Sequence, residues 1–518
     1  MNRRELLAGA GLLAGASQAK AFGLLGAEMG RLGAAGGPSA IPRNALFGVN
    51  MSGAEFAPNA GQRFPSAADW TYLASKGVGF VRHPIAWESL QPTLGGALNS
   101  TYLANLKASI AAAHAVGIGV IVDLHNFGAY ATSGFGSTVT YAGNSGAPAT
   151  GVHFLGDGTL TSANLTDVWT KLATALVGTP GVIGYGLMNE PSANIVGINL
   201  LQAPNYFDGS TGLTTWGHGA TETVTRLALG TNPLGSNFGP AWNFSTTNFG
   251  NATQSVNVPT TGTYTISGWA SSTAPQAAYF VLGGNQPGFT TSATPTRFTA
   301  TGTLTAGANS IGIGTNGPGF SGTGTITIAN LQLELASSAT TYQPSPYAPF
   351  AQAGVNAIRA VDASTPIFLC GLRALASFWQ AYNFEMVTLT GSNLVFEGHQ
   401  YWDGADGIGG GGTYANTYTG FGVNPNSGVN DMTPYLSWLT TTGVAGYLGE
   451  FGTPNSTADN NPLWLPLQVN ALNALKGANI KATQWFYGNN GIQSGNILNI
   501  APVGGVDDPR LTQMLAVH

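Results

Sequence analysis

The feature that most constrains this chain is a regular alternation of short apolar runs with helix-like stretches. In chain order the eight runs are Ala45–Ser52, Phe80–Ile85, Ile118–Asn126, Ile183–Glu190, Ile367–Gly371, Leu394–Tyr401, Gly446–Gly452 and Thr483–Gly488. The helical candidates between them are Ala67–Lys76, Thr101–Val116, Asp167–Val177, Phe350–Asp362, Tyr435–Thr442 and Leu465–Gly477. Strands that alternate with helices favour parallel pairing, and eight such units predict an α/β fold, a (β/α)8 TIM barrel.

The alternation is interrupted between residues 201 and 345. This stretch is dense in Thr, Ser, Gly and Asn, and it alternates with period two, as in Thr263–Trp269 and Leu331–Leu335. Period-two alternation between Gly and Asn turns predicts antiparallel strands, and about 145 residues suit one β-sandwich. We therefore expect an all-β domain at 201–345, inserted after barrel strand four. The barrel would then comprise residues 44–200 and 346–518.

Composition narrows the class of partner. Charged residues make up 8% of the 518, and the net charge is −5 without any basic run, so a nucleic-acid partner is not expected. Abundant Gly, Ser, Thr and Asn with 11 Trp suit neutral, hydroxyl-rich ligands such as carbohydrates. The single Cys370 excludes an intrachain disulfide and a Cys-based zinc site. No convincing metal-ligand spacing or nucleotide loop is present, so we expect no metal and no cofactor. We also expect a monomer.

The N-terminus has the pattern of an export signal. Arg3 and Arg4 precede a short apolar stretch, Leu6–Ala16, and a small-x-small cleavage site at Ala19–Ala21. Twin arginines before a Gly/Ala-rich core are typical of a twin-arginine signal. We expect residues 1–21 to be this signal and 22–43 a linker. The sequence predicts a secreted or periplasmic protein without a membrane-spanning segment.

Two carboxylates stand out among the polar residues at the ends of the apolar runs. Glu190 ends run four and Glu450 ends run seven, so their side chains would converge from different walls of a barrel whose active site lies at the carboxyl ends of the strands. A Glu at such a place is costly to bury in a chain this poor in charge. A facing carboxylate pair is the machinery of glycoside hydrolysis, in which one acid protonates the leaving oxygen and the other attacks the anomeric carbon.

The ordered set of strand-end motifs resembles glycoside hydrolase family 5. The motifs are Gly48-Val49-Asn50, Arg82-His83-Pro84, Asp123-Leu124-His125-Asn126, Asn189-Glu190-Pro191, His399-Gln400-Tyr401, Gly449-Glu450-Phe451 and Trp485. The stretch Gly48–Phe56 and the run Leu448–Phe451 are similar to the endo-β-1,4-glucanase (cellulase) branch of the family. The resemblance covers roughly 44–200 and 346–518, and the insertion after Pro191 departs from the family pattern. Residues 201–345 look like a carbohydrate-binding β-sandwich.

The resemblance implies a retaining double displacement on a β-glucan. Glu190 would be the general acid/base and Glu450 the nucleophile, about 5 Å apart. The other implied roles are as follows: Asn189 hydrogen-bonds the sugar 2-hydroxyl, Arg82 and Tyr401 hold Glu450, His399 and His125 orient the acid and a sugar hydroxyl, and Trp485 stacks under the sugar. Asp123 and Glu397 are expected to be structural groups of the barrel interior.

Two alternatives stay open at this point. The same catalytic set serves other β-glycans, so a mannan or a xyloglucan is a possible substrate. A non-catalytic polysaccharide-binding protein is the other alternative, in which the inserted module is the active part. Aromatic residues of that module, Trp216, Trp242, Trp269 and Tyr279, are candidate binding platforms, although we expect most of them to pack in its core.

Overall fold

The structure is a computed structural model, and it describes most of the chain from residue 45 onward. The described residues are 45–56, 64–132, 151–191, 194–205, 216–219, 222–247, 249–316, 323–402, 423–454, 463–488 and 496–517. The predicted export signal at 1–21 and the linker at 22–43 lie outside them. None of the described helices is both long enough and apolar enough to cross a membrane.

Eight parallel strands close into the predicted barrel, with neighbours in chain order. They are Phe47–Met51, Phe80–Ile85, Gly119–Leu124, Val182–Gly186, Ile367–Leu375, Leu394–Tyr401, Ala445–Gly452 and Lys481–Tyr487. Inside the barrel, apolar side chains from the starts of successive strands, such as Phe80, Ile183 and Phe368, form a buried layer. This layer fills the amino end, so the polar strand ends lie above an apolar floor.

Helices pack around the outside of the barrel, and each helix buries one of its faces against it. The α-helices of four or more residues are Ala67–Ser75, Trp87–Leu90, Ser100–Ala115, Ser162–Leu176, Ala348–Arg359, Trp379–Asn383, Ser427–Thr442, Trp464–Gly477 and Pro509–Val517. Local sequence defines several ends: Ser66 and Asp69 form a capping box, and the Asn99 side chain accepts from the first helical N–H groups. Gly443 ends its helix in the left-handed conformation that glycine tolerates.

Several elements differ from the sequence-based boundaries. The helix predicted at Asp167–Val177 spans Ser162–Leu176, and the strand predicted at Ile183–Glu190 spans Val182–Gly186. The helix predicted at Tyr435–Thr442 begins at Ser427, because the helix continues through Pro434 instead of starting after it. Strand five continues to Leu375, with its pairing to strand six shifted between Cys370 and Leu375. A short hairpin, Ala129–Ala131 with Val152–Phe154, also follows strand three and was not predicted.

The segment between barrel strands four and five forms two five-stranded antiparallel sheets. In sheet order, the first contains Gly288–Thr291, Gln276–Leu282, Gly307–Thr315, Gly250–Val258 and Trp216–His218, and the second contains Thr296–Leu304, Gly262–Ser271, Thr323–Glu334, Trp242–Thr247 and Glu222–Arg226. Side chains of both sheets share one buried core, including Phe280 and Ile313 from the first and Phe244 and Ile326 from the second. The insertion is therefore an all-β domain of two packed sheets.

The inserted domain contacts the barrel through a buried carboxyl group. Glu385, in the short helix Phe384–Thr388 after barrel strand five, accepts hydrogen bonds from Asn205 and Tyr342 of the inserted segment. Burial raises the pKa of Glu385 to about 8, although both hydrogen bonds act in the opposite direction. Glu385 is consequently a neutral carboxylic acid at moderately acid and neutral pH.

Candidate active site

Every barrel strand, or the residues that directly follow it, contributes a side chain to one group of polar, thiol and aromatic residues. In strand order these residues are Asn50, Arg82, Asp123 with His125, Asn189 with Glu190, Cys370, Glu397 with His399 and Tyr401, Glu450, and Trp485. The parallel registers bring neighbours together, since Asn50 pairs with Arg82 and His399 pairs with Glu450. Convergence of these strand ends forms the candidate site.

Arg82 is the buried cation at the centre of the site. Its Nη1 donates to Asn50 Oδ1 at 3.0 Å and to Glu450 Oε1 at 2.9 Å, and its Nη2 donates to Asn189 Oδ1 at 2.7 Å. Two further carboxylates pair with it, Asp123 at 3.0 Å and Glu397 at 2.9 Å. Burial lowers the pKa of Arg82, but these three carboxylates outweigh it and raise the pKa well above its usual value. The site therefore contains a permanent positive charge.

Glu450 is held by two different donors. Arg82 contacts its Oε1, and the Tyr401 hydroxyl donates to its Oε2 at 2.6 Å. The side chain is almost fully buried. The two donors hold both oxygens of this carboxyl group in a fixed orientation, as a nucleophile needs.

Glu190 is the more exposed carboxylate, with about a third of its side chain accessible. It follows strand four with a backbone φ of 36°, a left-handed conformation that costs a residue with a side chain about 1–3 kcal/mol. His399 Nδ1 lies 2.8 Å from its Oε1. Burial raises the pKa of Glu190, but the hydrogen bond from His399 and the charges of His399, His125 and Arg82 outweigh this effect and lower it.

The two carboxyl groups face each other across a short gap. One ligand atom from each of Glu190, His399 and Glu450 lies within 4.8 Å of the other two. Carboxyl groups about 5–5.5 Å apart are typical of retaining glycosidases, whereas inverting enzymes separate them by about 6.5–9.5 Å to admit a water molecule. This spacing can support direct attack by one carboxylate and proton transfer by the other.

A hydrogen-bonded chain orients Asn189 beside the two acids. His125 Nδ1 lies 2.9 Å from Asp123 Oδ2, and its Nε2 lies 3.2 Å from the Asn189 amide nitrogen. These two contacts hold the imidazole ring between Asp123 and Asn189. The half-buried Trp485 ring stacks on His125, with centroids 5.3 Å apart and planes 8° from parallel.

All eight site residues predicted from sequence lie in this one group, namely Arg82, His125, Asn189, Glu190, His399, Tyr401, Glu450 and Trp485. Sequence reasoning missed Asn50 as a partner of Arg82, although Asn50 ends the first predicted strand within Gly48-Val49-Asn50. It also missed Cys370, whose Sγ lies 3.8 Å from His399 Nε2. Nothing in the local sequence marks this cysteine as part of the site.

The same side chains were considered as metal ligands. Within the described ranges, donor atoms of Cys370, Glu397 and His399, and those of Glu190, His399 and Glu450, lie close enough to bind one ion. Both groups depend on His399. Burial lowers the pKa of His399, but the charge of Glu450 and contacts with Cys370 and Glu190 raise it well above its usual value. A protonated imidazole has no lone pair for a metal, so an ion at either group would have to displace the proton of His399.

The four aromatic residues considered as binding platforms in the inserted domain are mostly interior. Trp216, Trp242 and Tyr279 are buried, as expected for core packing. Trp269 is partly exposed, but the Arg297 guanidinium lies over its ring, 4.8 Å from the centroid. Among these four residues, only Trp269 remains as a candidate surface contact.

A closed parallel barrel with two facing carboxylates at its carboxyl end has the architecture and the paired acids of a glycoside hydrolase. The chain matches the family model described as Cellulase (glycosyl hydrolase family 5) over residues 37–227 and 331–491, more than half of its length. The protein therefore belongs to glycosyl hydrolase family 5. The unmatched stretch between these two segments lies in the inserted β-domain.

Curated relatives match shorter segments. A manganese-dependent endoglucanase Eg5A of Phanerodontia chrysosporium is 30% identical over 160 residues, which are 29% of this chain and 36% of that protein. A probable endo-β-1,4-glucanase B of Neosartorya fischeri is 38% identical over 92 residues, 16% of this chain and 28% of that protein. The chain thus matches well under half of the length of these relatives.

Solved structures resemble the fold over almost the whole chain. The endoglucanase Cel5A of Pseudomonas stutzeri has a TM-score of 0.51 at 22% identity and covers 91% of both chains. An endo-β-1,4-glucanase of Xanthomonas axonopodis pv. citri has a TM-score of 0.52 at 19% identity and covers 91% of this chain and 98% of its own. At such identity the likeness concerns the fold.

Proposed function

We propose that this protein is a retaining endoglucanase that hydrolyses internal β-1,4 bonds of cellulose or a related β-glucan. The observation that carries the proposal is the short gap between Glu190 and Glu450, whose ligand atoms lie within 4.8 Å. The names of the relatives, endoglucanase and endo-β-1,4-glucanase, support the choice of substrate within the family.

In the first step Glu450 attacks the anomeric carbon and forms a covalent glycosyl-enzyme. The acid form of Glu190 transfers its proton to the glycosidic oxygen, so that the leaving chain departs as a neutral alcohol. Because the pKa of Glu190 is lowered below its ordinary value of 4.5, this acid form is the minor one above that pH. Arg82 and the Tyr401 hydroxyl each bind one oxygen of Glu450 and hold the carboxyl group in position for the attack. The Asn189 amide, oriented by Arg82 and His125, donates to the 2-hydroxyl of the sugar, a contact that strengthens in the transition state.

In the second step the ionised Glu190 removes a proton from water. The hydroxide that develops attacks the anomeric carbon and releases Glu450 as a carboxylate, and the proton taken from water leaves Glu190 in its acid form for the next cycle. Two inversions at one carbon yield net retention. Trp485 provides an apolar ring face for the C–H face of the sugar in both steps.

The test is release of reducing sugar from a panel of purified polysaccharides. We expect activity on carboxymethylcellulose or another soluble β-1,4-glucan, with little on mannan or xyloglucan. Glu450→Gln should lower kcat by at least about 1000-fold and leave the fold and sugar binding intact. Wild-type-like activity of this variant contradicts the assignment, and a preference for mannan or xyloglucan changes the substrate within the family.

For the inserted domain we propose a role in holding the polymer close to the cleft. The inserted segment follows Glu190-Pro191 in the chain, so it begins close to one of the two paired carboxylates. Trp269 is the candidate contact. Trp269→Ala should weaken binding to insoluble glucan without changing kcat on a short oligosaccharide, and unchanged binding argues against this role.

We also propose that the protein acts outside the cytoplasm as a monomer. The twin arginines and the cleavage pattern in residues 1–21 support export. N-terminal sequencing of the protein from the culture fluid or periplasm and light scattering of the purified enzyme test these two points.

A further inference from the structure

One buried carboxylate connects the two halves of the candidate catalytic machinery. Glu397 Oε1 lies 2.9 Å from Arg82 Nε and 3.0 Å from His399 Nε2, and the residue has no exposed surface. Arg82 contacts Glu450, and His399 contacts Glu190. Strand seven passes close to this carboxylate at Gly449. A Cβ on Gly449 would come within 1.9 Å of Glu397 Oε1, so only glycine fits there. Glu397 therefore lies beneath both acids without reaching the substrate.

His399 is enclosed by acidic groups on several strands. Its Nδ1 lies 2.8 Å from Glu190 and 3.6 Å from Glu450, and its Nε2 faces Glu397 and Cys370. Burial raises the pKa of the Cys370 thiol to about 11, so it is neutral below that pH. The other titratable groups around this cluster are Arg82, Asp123, His125, Tyr347, Tyr435 and Tyr447. With a carboxylate at each ring nitrogen, the favourable state of His399 is the imidazolium.

We propose that Glu397 is a positioning residue that keeps His399 charged and oriented on Glu190 and thereby determines when the acid/base holds its proton. The proposal rests on the proposed function of Glu190. It assigns to Glu397 a task beyond filling the barrel interior. Glu397 contacts the imidazole and Arg82 directly, and the imidazole in turn contacts Glu190. Glu397 therefore acts on Glu190 through His399.

The sign of the effect follows from the charges. An imidazolium beside Glu190 stabilises its carboxylate and lowers its pKa. Replacing Glu397 by Gln removes one of the anions that stabilise the imidazolium, so His399 becomes neutral at a lower pH. Glu190 then loses its cationic neighbour, its pKa rises, and the alkaline limb of kcat/KM moves to higher pH. His399→Asn removes the imidazole and moves the limb in the same direction.

The experiment compares the pH dependence of kcat/KM on soluble β-glucan for wild type, Glu397→Gln, His399→Asn and the double variant. Glu397→Gln should shift the alkaline limb upward by about half a pH unit or more, with KM within about twofold of wild type. The double variant should shift the limb no further than His399→Asn alone, because both changes act through one imidazole.

Glu385→Gln is the matched control. Glu385 is a buried carboxyl that is already neutral below about pH 8, so the change removes no charge below that pH and should leave the limb in place. An unmoved limb in Glu397→Gln overturns the proposal. Additive shifts in the double variant also overturn it, because they mean that Glu397 acts on Glu190 without His399.

A second measurement is made on protein that retains Glu397. In protein labelled with ¹³C-histidine, the His399 ring signal, assigned by its loss in His399→Asn, should report an imidazolium well above the ordinary histidine pKa of about 6.5. A neutral ring at pH 6 overturns the proposal even if Glu397→Gln does not fold. These results are separate from the proposed function, which fails only if the polysaccharide panel or Glu450→Gln contradicts it.

Discussion

A carboxylate oxygen of Glu190 and one of Glu450 lie within 4.8 Å of each other, although 260 residues separate them along the chain. Their environments differ: Glu450 is buried against Arg82 and Tyr401, whereas Glu190 is partly exposed and contacts His399. Because their environments differ, two acids that lie this close together can perform different tasks on one sugar ring. This asymmetry underlies the first two predictions.

Glu190→Gln should separate the two steps of catalysis. On polysaccharide kcat should fall about 1000-fold, because the leaving alcohol needs a proton. On a dinitrophenyl β-cellobioside, whose leaving group departs without one, formation of the glycosyl-enzyme should stay within about tenfold of wild type. Pre-steady-state release of dinitrophenol measures this. Azide should restore turnover by attacking the glycosyl-enzyme. Equal losses on both substrates contradict the acid/base role.

Arg82→Lys should inactivate the enzyme although it keeps the charge. A lysine ammonium has three donors at one point and cannot replace a fork that contacts Asn50, Asn189 and three carboxylates. We expect kcat to fall at least about 100-fold and stability to fall by about 3 kcal/mol, measured by denaturant unfolding.

Arg510→Lys is the control for this change. Arg510 is also buried, but it pairs with Asp508 and donates to the backbone carbonyl of Thr453 instead of to a carboxylate of the site. Its replacement should lower stability and leave kcat near wild type. Comparable losses of kcat in the two variants would show that any buried arginine is needed and that Arg82 has no special role.

Glu385→Gln should stabilise the protein in alkaline solution. The folded-state pKa of Glu385, about 8, lies above its ordinary value of 4.5, so the unfolded state loses the proton first as pH rises. The contribution of Glu385 to the free energy of unfolding of the wild type is fully present below about pH 4.5. It is lost toward pH 8, at up to about 1.4 kcal/mol per pH unit. Glutamine does not titrate. The Tm of the variant should match wild type near pH 4.5 and exceed it at pH 8.5, and a constant difference across this range contradicts the prediction.

Removal of divalent cations should leave activity unchanged. Arg82 and a protonated His399 occupy the positions from which a cation would contact Glu450 and Glu190. After dialysis against EDTA, kcat should stay within about twofold, and added Mn²⁺ should not increase it. Strong stimulation by Mn²⁺ would show instead that a metal displaces these protons, in keeping with the name of the P. chrysosporium relative.

The local pattern was sufficient to predict the barrel and eight residues that the structure brings together, although it missed Asn50 and Cys370. Apolar runs of strand length report burial on both faces, and the strands Phe80–Ile85 and Leu394–Tyr401 have the predicted boundaries. Closure of eight parallel strands then requires their carboxyl ends to meet, so strand-end residues such as Glu190 and Glu450 were predictable as neighbours. The helix around Pro434 was predicted too short, because packing sustains a helix that local propensity would end there.

Individual partners depend on distances that no local pattern contains. That Arg82 joins Glu450 to Asp123 and Glu397, and that Glu397 also contacts His399, follows from the register of four strands brought together by barrel closure. The neutral state of Glu385 likewise arises only when the inserted domain covers it. Hydrophobic periodicity extends over a few residues and can be recognised in the sequence. Charge states depend on the burial and the neighbouring groups that arise only on folding.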